Sequence, residues 1–244
     1  MIEYSTITDI GEREVNEDRL GVFVNEPLLG YGFVLADGLG GHVNGDMASE
    51  FVVHCVGAAV KNTDRFDNIF IDECFDIAQE LLLEEMQKTK MHSVKTTLVT
   101  LLLSENIARW GHIGDSRLYH FRNCRQINRT LDHSISQMMV LNGQIKEKDI
   151  RRHPDRNKLL RAMGDEWNGP EYEIDEREIH VTKGDTFILC SDGFWEWIDE
   201  KNMIKILKMN LSAHDALHGM MAEVKRNAKG KNMDNASAIL VNIK

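Results

Sequence analysis

Three aspartates stand where short apolar runs begin or end. Carboxylates in such positions could take part in chemistry. Asp37 and Asp192 each follow an apolar run and precede a glycine, and Asp234 stands just before the last apolar run. Such runs predict buried strands, so each carboxylate would lie at a strand end. Carboxylates gathered there would repel one another unless cations bound, and oxygen donors favour Mg²⁺ or Mn²⁺ over zinc.

The first of these sites opens a glycine-rich stretch, Asp37-Gly38-Leu39-Gly40-Gly41-His42. Glycine permits backbone conformations closed to other residues, so a peptide carbonyl here could approach a ligand closely. An Asp-Gly pair is also an ordinary turn signal. The stretch alone therefore leaves both a metal-binding loop and a simple turn open.

A second polar stretch, Gly11 to Asp18, lies between two strand-like segments. Arg13 has the planar donor fork that suits a phosphoryl group, and Glu17 with Asp18 would suit a metal. A solvated hairpin loop is the alternative interpretation.

The elements that must position these residues can be predicted from periodicity. Helices are expected from near Asp46, over Ile69 to Met86, over Met203 to Met209 and over Ala216 to Val224; strands are expected over Thr96 to Leu103, Ile107 to Ile113, Leu118 to Phe121, Phe187 to Ser191 and Ala236 to Ile243. Short turns between the strands indicate antiparallel pairing.

No linker rich in Pro, Ser or Gly interrupts the chain, so one domain over residues 1–244 is expected. The polar segment from Asp132 to Gly164 has few strand signals. Its position between strand-rich regions predicts an excursion over the sheet edge, with a flap at about 142–164.

The net charge of −10 argues against a nucleic-acid partner, and no apolar run is long enough to span a bilayer. The N-terminus lacks a basic segment followed by an apolar one, so a cytoplasmic location is expected. The four cysteines have no CxxC spacing, and none begins a Cys-x5-Arg phosphate loop. A cysteine-dependent phosphatase is therefore excluded.

The chain resembles the metal-dependent PP2C-type (PPM) Ser/Thr protein phosphatases in their bacterial form, from about Asp9 to Val241. Eight motifs that follow one another in the family's order carry this resemblance: Arg13-Glu14-Val15-Asn16-Glu17-Asp18, Ala36-Asp37-Gly38-Leu39-Gly40-Gly41-His42, Thr96-Thr97-Leu98, Gly114-Asp115-Ser116-Arg117, Asp132-His133-Ser134, Leu160-Arg161-Ala162-Met163-Gly164, Ser191-Asp192-Gly193 and Asp234-Asn235-Ala236-Ser237. The resemblance implies an α+β fold, a β-sandwich of two antiparallel sheets flanked by pairs of α-helices in four layers, with the metal site at one end.

The resemblance also implies the roles of individual residues. The expected metal ligands for Mn²⁺ or Mg²⁺ are Glu17, Asp18, Asp37, the Gly38 carbonyl, Asp115, Asp192 and Asp234. Asp37 would bridge two tightly held metals, Asp192 and Asp234 would complete the first, and Glu17 and Asp18 would hold the second, one of them through water. Asp115 would belong to a third, weaker metal. Arg13 would bind the phosphoryl group, so Arg13 and Asp37 are the expected catalytic residues.

The implied reaction is hydrolysis of phosphoserine and phosphothreonine by a water that bridges the metals, whose pKa can fall from 15.7 towards about 7. Many eukaryotic relatives have a histidine directly after the Asp-Gly as general acid, but this chain has Leu39 there. His42 and His133 are candidates for that role, as is a metal-bound water.

The expected partners are phosphorylated proteins, the substrates of a bacterial Ser/Thr kinase, and the expected form is a monomer. Two alternatives remain open at this point. One is an inactive binding or sensing module with the same fold, and the other is a phosphatase for small phosphate esters.

Overall fold

The computed structural model describes residues 1–39, 44–91, 94–209 and 211–244. Its strands are β1 (Ile2–Asp9), β2 (Asp18–Asn25), β3 (Gly30–Leu39), β4 (Lys95–Thr96), β5 (Leu98–Ser104), β6 (Ile107–Ile113), β7 (Arg117–Arg122), β8 (Arg125–Arg129), β9 (Glu173–Ile174), β10 (Ile179–His180), β11 (Asp185–Cys190) and β12 (Ala236–Ile243). The helices are α1 (Gly45–Asn62), α2 (Asn68–Thr89), α3 (Ile135–Leu141), α4 (Asp192–Trp195), α5 (Glu200–Leu207) and α6 (Ala213–Ala228), with a 3₁₀ helix at Glu147–Arg152.

The strands form two antiparallel sheets that stack face to face. One sheet has the order β1-β12-β11-β7-β8, and the other has the order β10-β6-β5-β3-β2, with β4 paired to β3 and β9 paired to β6. Helices α1 and α2 cover the outer face of the second sheet, and α6 covers the first. The predicted sandwich flanked by helices is therefore confirmed.

Strand β3 shows why its sequence is apolar without alternation. Phe33 and Leu35 point into the core between the two sheets, whereas Val34 and Ala36 pack against α1. All four side chains are completely buried because successive residues of a strand face opposite sides and both sides are covered. This buried strand carries Asp37 to the end of the sandwich.

Side-chain caps define where several helices begin. Asp67 accepts a hydrogen bond from the Phe70 N–H at 2.9 Å at the start of α2. Ser134 caps α3 in the same way, accepting the Gln137 N–H.

The predicted strand over Thr96 to Leu103 is divided in two by Thr97. Its N–H donates to the Asp37 carbonyl at 2.8 Å, while its Oγ1 accepts the Asp37 N–H at 2.9 Å and lies 2.7 Å from the Ser116 hydroxyl. The side chain of Thr97 thus takes part in the pairing with β3, whose register is the same on both sides of Thr97. The short strands β9 and β10 and the one-turn helix α4 were not predicted, because two to four residues carry no measurable periodicity.

Residues 142–164 contain the 3₁₀ helix and no strand, as their composition indicated. Ile150 of this segment is buried, and the Arg151 Nε donates to the Trp195 carbonyl at 2.9 Å. A role as a flap stays a prediction. Within the described part of the chain, no helix is both long enough and apolar enough to cross a membrane.

Candidate active site

Four of the expected site residues lie together at one end of the second sheet. Asp18 begins β2 and is the cross-strand partner of Asp37 near the end of β3. The Gly38 N–H donates to the Glu17 carbonyl at 3.1 Å, which ties the Gly11 to Asp18 loop to the same sheet end. The loop is therefore held at this end of the sheet, while residues 12–15 are exposed to solvent.

Asp192 and Asp234 lie at the matching end of the first sheet. Asp192 begins α4 directly after β11, and Asp234 precedes β12, the antiparallel neighbour of β11. Ser191 joins the two sheets, since its hydroxyl donates to Asp18 Oδ2 at 2.7 Å and accepts the Ser237 N–H at 3.0 Å. The carboxylates of both sheets thus converge on one end of the sandwich.

Asn235 holds the loop that carries Arg13, a role that sequence reasoning missed. Its Oδ1 accepts the Glu17 N–H at 2.8 Å, and its Nδ2 donates to the carbonyls of Ile10 and Val15 at 2.8 and 3.0 Å. In the sequence, Asn235 stood out only as a member of the Asp234-Asn235-Ala236-Ser237 motif, beside a predicted carboxylate.

The carboxylates perturb one another strongly. Burial raises the pKa of Asp37 well above its ordinary value, and the neighbouring charges of Asp18 and Asp192 raise it further. The pKa of Asp192 is raised by burial and then by Asp115 and Asp234. Carboxyl groups whose pKa values are raised in this way by their neighbours form a site that favours bound cations.

The surroundings of the Asp18 carboxylate indicate whether cations fit this site. The side chain is buried, and Oδ1 has no hydrogen-bond partner among the described residues, although Oδ2 accepts from Ser191. Burial raises the pKa of Asp18 to about 6. A buried carboxylate oxygen without a donor is costly unless a cation neutralises it. The donor set, made only of oxygens, fits Mg²⁺ or Mn²⁺.

Gly38 lies where a side chain could not. A Cβ added at this position would lie 2.2 Å from the Gly45 carbonyl oxygen at the start of α1. The glycine is therefore needed for the close approach of α1 to the end of β3. Gly40, Gly41 and His42 lie outside the described residues.

Arg13 points at the carboxylates. Its Nη2 donates to Asp234 Oδ2 at 2.5 Å, while about half of the side chain stays exposed to solvent. The hydrogen bond to Asp234 raises the pKa of Arg13, so the guanidinium stays charged. A cationic fork at the open edge of the cluster is suited to an arriving phosphoryl group.

Asp115 lies on the loop between β6 and β7 and is buried. The Trp195 indole N–H donates to the Asp115 carbonyl at 2.9 Å, which fixes the loop against α4. Burial raises the pKa of the Asp115 carboxyl to about 7, with a further contribution from Asp132. The charge of Asp115 is also among those that raise the pKa of Asp192, so the structure brings Asp115 to the cluster.

His133, one candidate for the general acid, is held by structural contacts. Its Nδ1 accepts the Gly114 N–H at 3.3 Å, its Nε2 lies 3.4 Å from Glu173 Oε1, and its ring stacks on His112 at 4.6 Å. The Nε2 atom therefore faces Glu173, which is not one of the clustered carboxylates. His133 therefore shows no orientation towards the carboxylate cluster that would suit proton donation.

Comparison with known proteins agrees with this geometry. The family model described as Protein phosphatase 2C matches residues 8–236. The serine/threonine phosphatase stp of Listeria welshimeri is 32% identical over 244 residues, covering 96% of this chain and 93% of that protein. The protein phosphatase PhpP of Streptococcus pneumoniae is 28% identical and covers 99% of this chain and 98% of that protein.

The fold is shared as well. The crystal structure of the serine/threonine phosphatase Stp1 from Staphylococcus aureus superposes with a TM-score of 0.88 at 28% identity, covering 100% of this chain and 96% of that one. The sandwich, the converging carboxylates and a family match over most of the sequence lead to one conclusion. The chain belongs to the protein phosphatase 2C family.

Proposed function

We propose that this protein is a metal-dependent phosphatase that hydrolyses phosphoserine and phosphothreonine in proteins. The observation that carries the proposal is the convergence of Asp18, Asp37, Asp115, Asp192 and Asp234 on one end of the sandwich, where several of these carboxylates oppose one another's ionisation. The names of the Listeria and Streptococcus relatives support the substrate class.

The carboxylates would hold divalent cations, Mn²⁺ or Mg²⁺. We propose two tight sites formed by Glu17, Asp18, Asp37, the Gly38 carbonyl, Asp192 and Asp234, and a third, weaker site at Asp115. When bound, the cations supply charge neutralisation for the phosphoryl oxygens and lower the pKa of water. The unpartnered Asp18 Oδ1 supports this assignment.

The chain's own groups bind and orient the substrate. The Arg13 guanidinium would exchange its Asp234 partner for the phosphoryl oxygens, which it can hold with two parallel N–H donors. Thr97 accepts the backbone N–H of Asp37 and so holds the end of β3, and Ser191 donates to the Asp18 carboxylate and so fixes its orientation before substrate binds. Such prior orientation is the main way in which phosphoryl transfer is accelerated.

The partners would be phosphorylated proteins, the products of a bacterial Ser/Thr kinase that acts in the cytoplasm, and the phosphatase would act as a monomer. An inactive binding module is disfavoured because every expected carboxylate and Arg13 are present in the cluster. A phosphatase for small phosphate esters would use the same residues and the same chemistry. Only its substrate preference would distinguish it from a protein phosphatase.

The test is a comparison of kcat/KM in Mn²⁺ for a phosphothreonine peptide, a phosphoserine peptide and p-nitrophenyl phosphate. We expect both peptides to be preferred over the small ester. Equal or higher kcat/KM for the small ester would favour the small-ester alternative, and no turnover of any substrate would favour the inactive module.

A further inference from the structure

A large cleft lies on the outer side of the first sheet. Its volume is about 1320 Å³, and it lies between the 3₁₀ helix with the residues that follow it, on one side, and the segment from Glu196 to Asn202, on the other. Pockets for small ligands usually measure about 300–1,000 Å³. The cleft is therefore large enough for a segment of polypeptide.

One end of the cleft adjoins the candidate active site. Glu196 lines the cleft, and its N–H donates at 2.9 Å to the carbonyl of Asp192, one helical turn earlier. The lining of the cleft therefore begins one helical turn from Asp192, within reach of a peptide whose phosphoryl group is held there.

The carboxylates that line the cleft are already engaged. Three form ion pairs, Glu147 with Arg129 at 2.8 Å, Glu196 with Arg156 at 2.9 Å and Glu200 with Arg151 at 2.7 Å. The other two accept backbone N–H bonds at helix starts, Asp149 from Lys146 and Asp199 from Asn202. Their negative charge is therefore locally balanced or held by a helix terminus.

Four positively charged side chains that line the same cleft have no carboxylate partner among the described residues. Lys148, Arg152, Lys201 and Lys231 are exposed, and none forms an ion pair with any residue that the structure describes. Lys231 lies over the Trp197 ring at 4.4 Å, a contact that leaves its charge in place. On a chain with a net charge of −10, these four side chains form a local positive surface.

We infer that this cleft docks an acidic segment of the phosphoprotein substrate, with Lys148, Arg152, Lys201 and Lys231 facing its carboxylates. The inference rests on the proposed function for the position of the phosphoryl group. Complementary charge steers association and selects partners, and here it selects chains that are acidic beside the phosphorylated residue.

The experiment compares two phosphothreonine peptides of equal length. One carries glutamates on both sides of the phosphothreonine, and the other carries glutamines at the same positions. The wild-type protein should hydrolyse the acidic peptide with about tenfold higher kcat/KM at low salt, a factor that exposed ion pairs acting together can supply. The ratio should fall towards one at high salt.

A cleft variant, with Lys148→Gln, Arg152→Gln, Lys201→Gln and Lys231→Gln, should lose this preference. The matched control has the same change in charge away from the cleft, Lys61→Gln, Lys88→Gln, Lys90→Gln and Lys183→Gln, and should keep it. A wild-type ratio near one, or a cleft variant that keeps the preference, would overturn the inference.

Docking can also be measured without catalysis. A fluorescently labelled, unphosphorylated glutamate-rich peptide should bind the wild-type protein and the control variant, and at least fivefold more weakly to the cleft variant. If this binding holds but no peptide is hydrolysed in Mn²⁺, the proposed function fails and the acidic docking surface stands. Tighter binding of a single-stranded oligonucleotide than of the peptide would overturn the inference.

Discussion

Arg13 is the side chain whose removal should affect substrate turnover most without affecting metal binding. Arg13→Ala removes the cationic fork at the edge of the carboxylate cluster. Loss of one such donor typically lowers the rate by about 10²–10³-fold, so we expect a fall of about 100-fold in kcat/KM for a phosphothreonine peptide. Arg13→Lys keeps the charge but not the fork and should be intermediate.

Steady-state kinetics in Mn²⁺ check this expectation, and calorimetric Mn²⁺ titration of the same variants is the control. Unchanged kcat/KM in Arg13→Ala would show that the guanidinium serves only its Asp234 partner.

The charged residues that the structure brings together were all named from the sequence, and their roles stay predictions, whereas the neutral residues that hold them were not named. Asp37 and Asp192 could be found because each follows an apolar run. Ser191, Asn235 and Thr97 act through hydrogen bonds to residues more than 40 positions away or on another sheet, and such partners leave no local pattern. Their roles became visible only in three dimensions.

At the scale of elements, the junction of β3 and α1 depends on Gly38. Gly38→Ala would place a Cβ 2.2 Å from the Gly45 carbonyl oxygen, so the strand end and the helix must move apart. We expect a loss of stability of about 1–3 kcal/mol, together with weaker Mn²⁺ binding because Asp37 moves with the strand end. Urea denaturation and Mn²⁺ titration measure the two effects.

Gly219 is a matched control within α6. A Cβ added there would meet only Ile206 Cγ2 at 3.6 Å, an ordinary contact. Gly219→Ala should therefore stabilise the protein by about 0.5–1 kcal/mol through helix propensity. If Gly38→Ala behaved like this control, the close approach of α1 would not be needed.

Asp185 joins β11 to β7 inside the first sheet. Its side chain is buried, and it accepts two hydrogen bonds from Arg122, at 2.7 and 2.8 Å. Burial alone would raise the pKa of Asp185, but the bonds from Arg122 and from the Thr182 N–H outweigh it, so the pKa in the folded protein is lowered. Asp185→Asn should cost about 1–3 kcal/mol at pH 7.

The sign of the pH dependence follows from that lowered pKa. The contribution of the ionised Asp185 carboxylate to stability is present above the pKa of the unfolded state, near 3.9. It is lost as the pH falls through the pKa of the folded state. Urea denaturation should therefore show the full difference between wild type and Asp185→Asn at pH 7 and a smaller one below about pH 4. A difference that did not change with pH would contradict the ion-pair assignment.

The longer elements were predictable because each spans enough residues for a period to show. Strands β5, β6 and β12 and helices α1, α2 and α6 lie close to their predicted positions. Strand β8 was not predicted, because its residues, Arg125 to Arg129, are mostly polar and line a sheet edge. An exposed edge strand needs no apolar alternation.

For the whole molecule, the carboxylate cluster opposes folding until cations bind. Mn²⁺ at about 100 times its Kd should stabilise the protein by about 2.7 kcal/mol, which corresponds to a rise in Tm of roughly 5–10 °C for a chain of this size. The rise should be smaller in Asp192→Asn, which removes one expected ligand. A melting curve with and without Mn²⁺ measures it, and an equal rise in both proteins would place the metal elsewhere.

The most direct test of the central claim is phosphate release from a phosphothreonine peptide, measured for one protein preparation in Mn²⁺, after chelation, and after Mn²⁺ is restored. The account predicts turnover that stops on chelation and returns with the metal, and no comparable turnover in Asp37→Asn. Activity that survived both the chelator and Asp37→Asn would contradict a metal site built on the converging carboxylates.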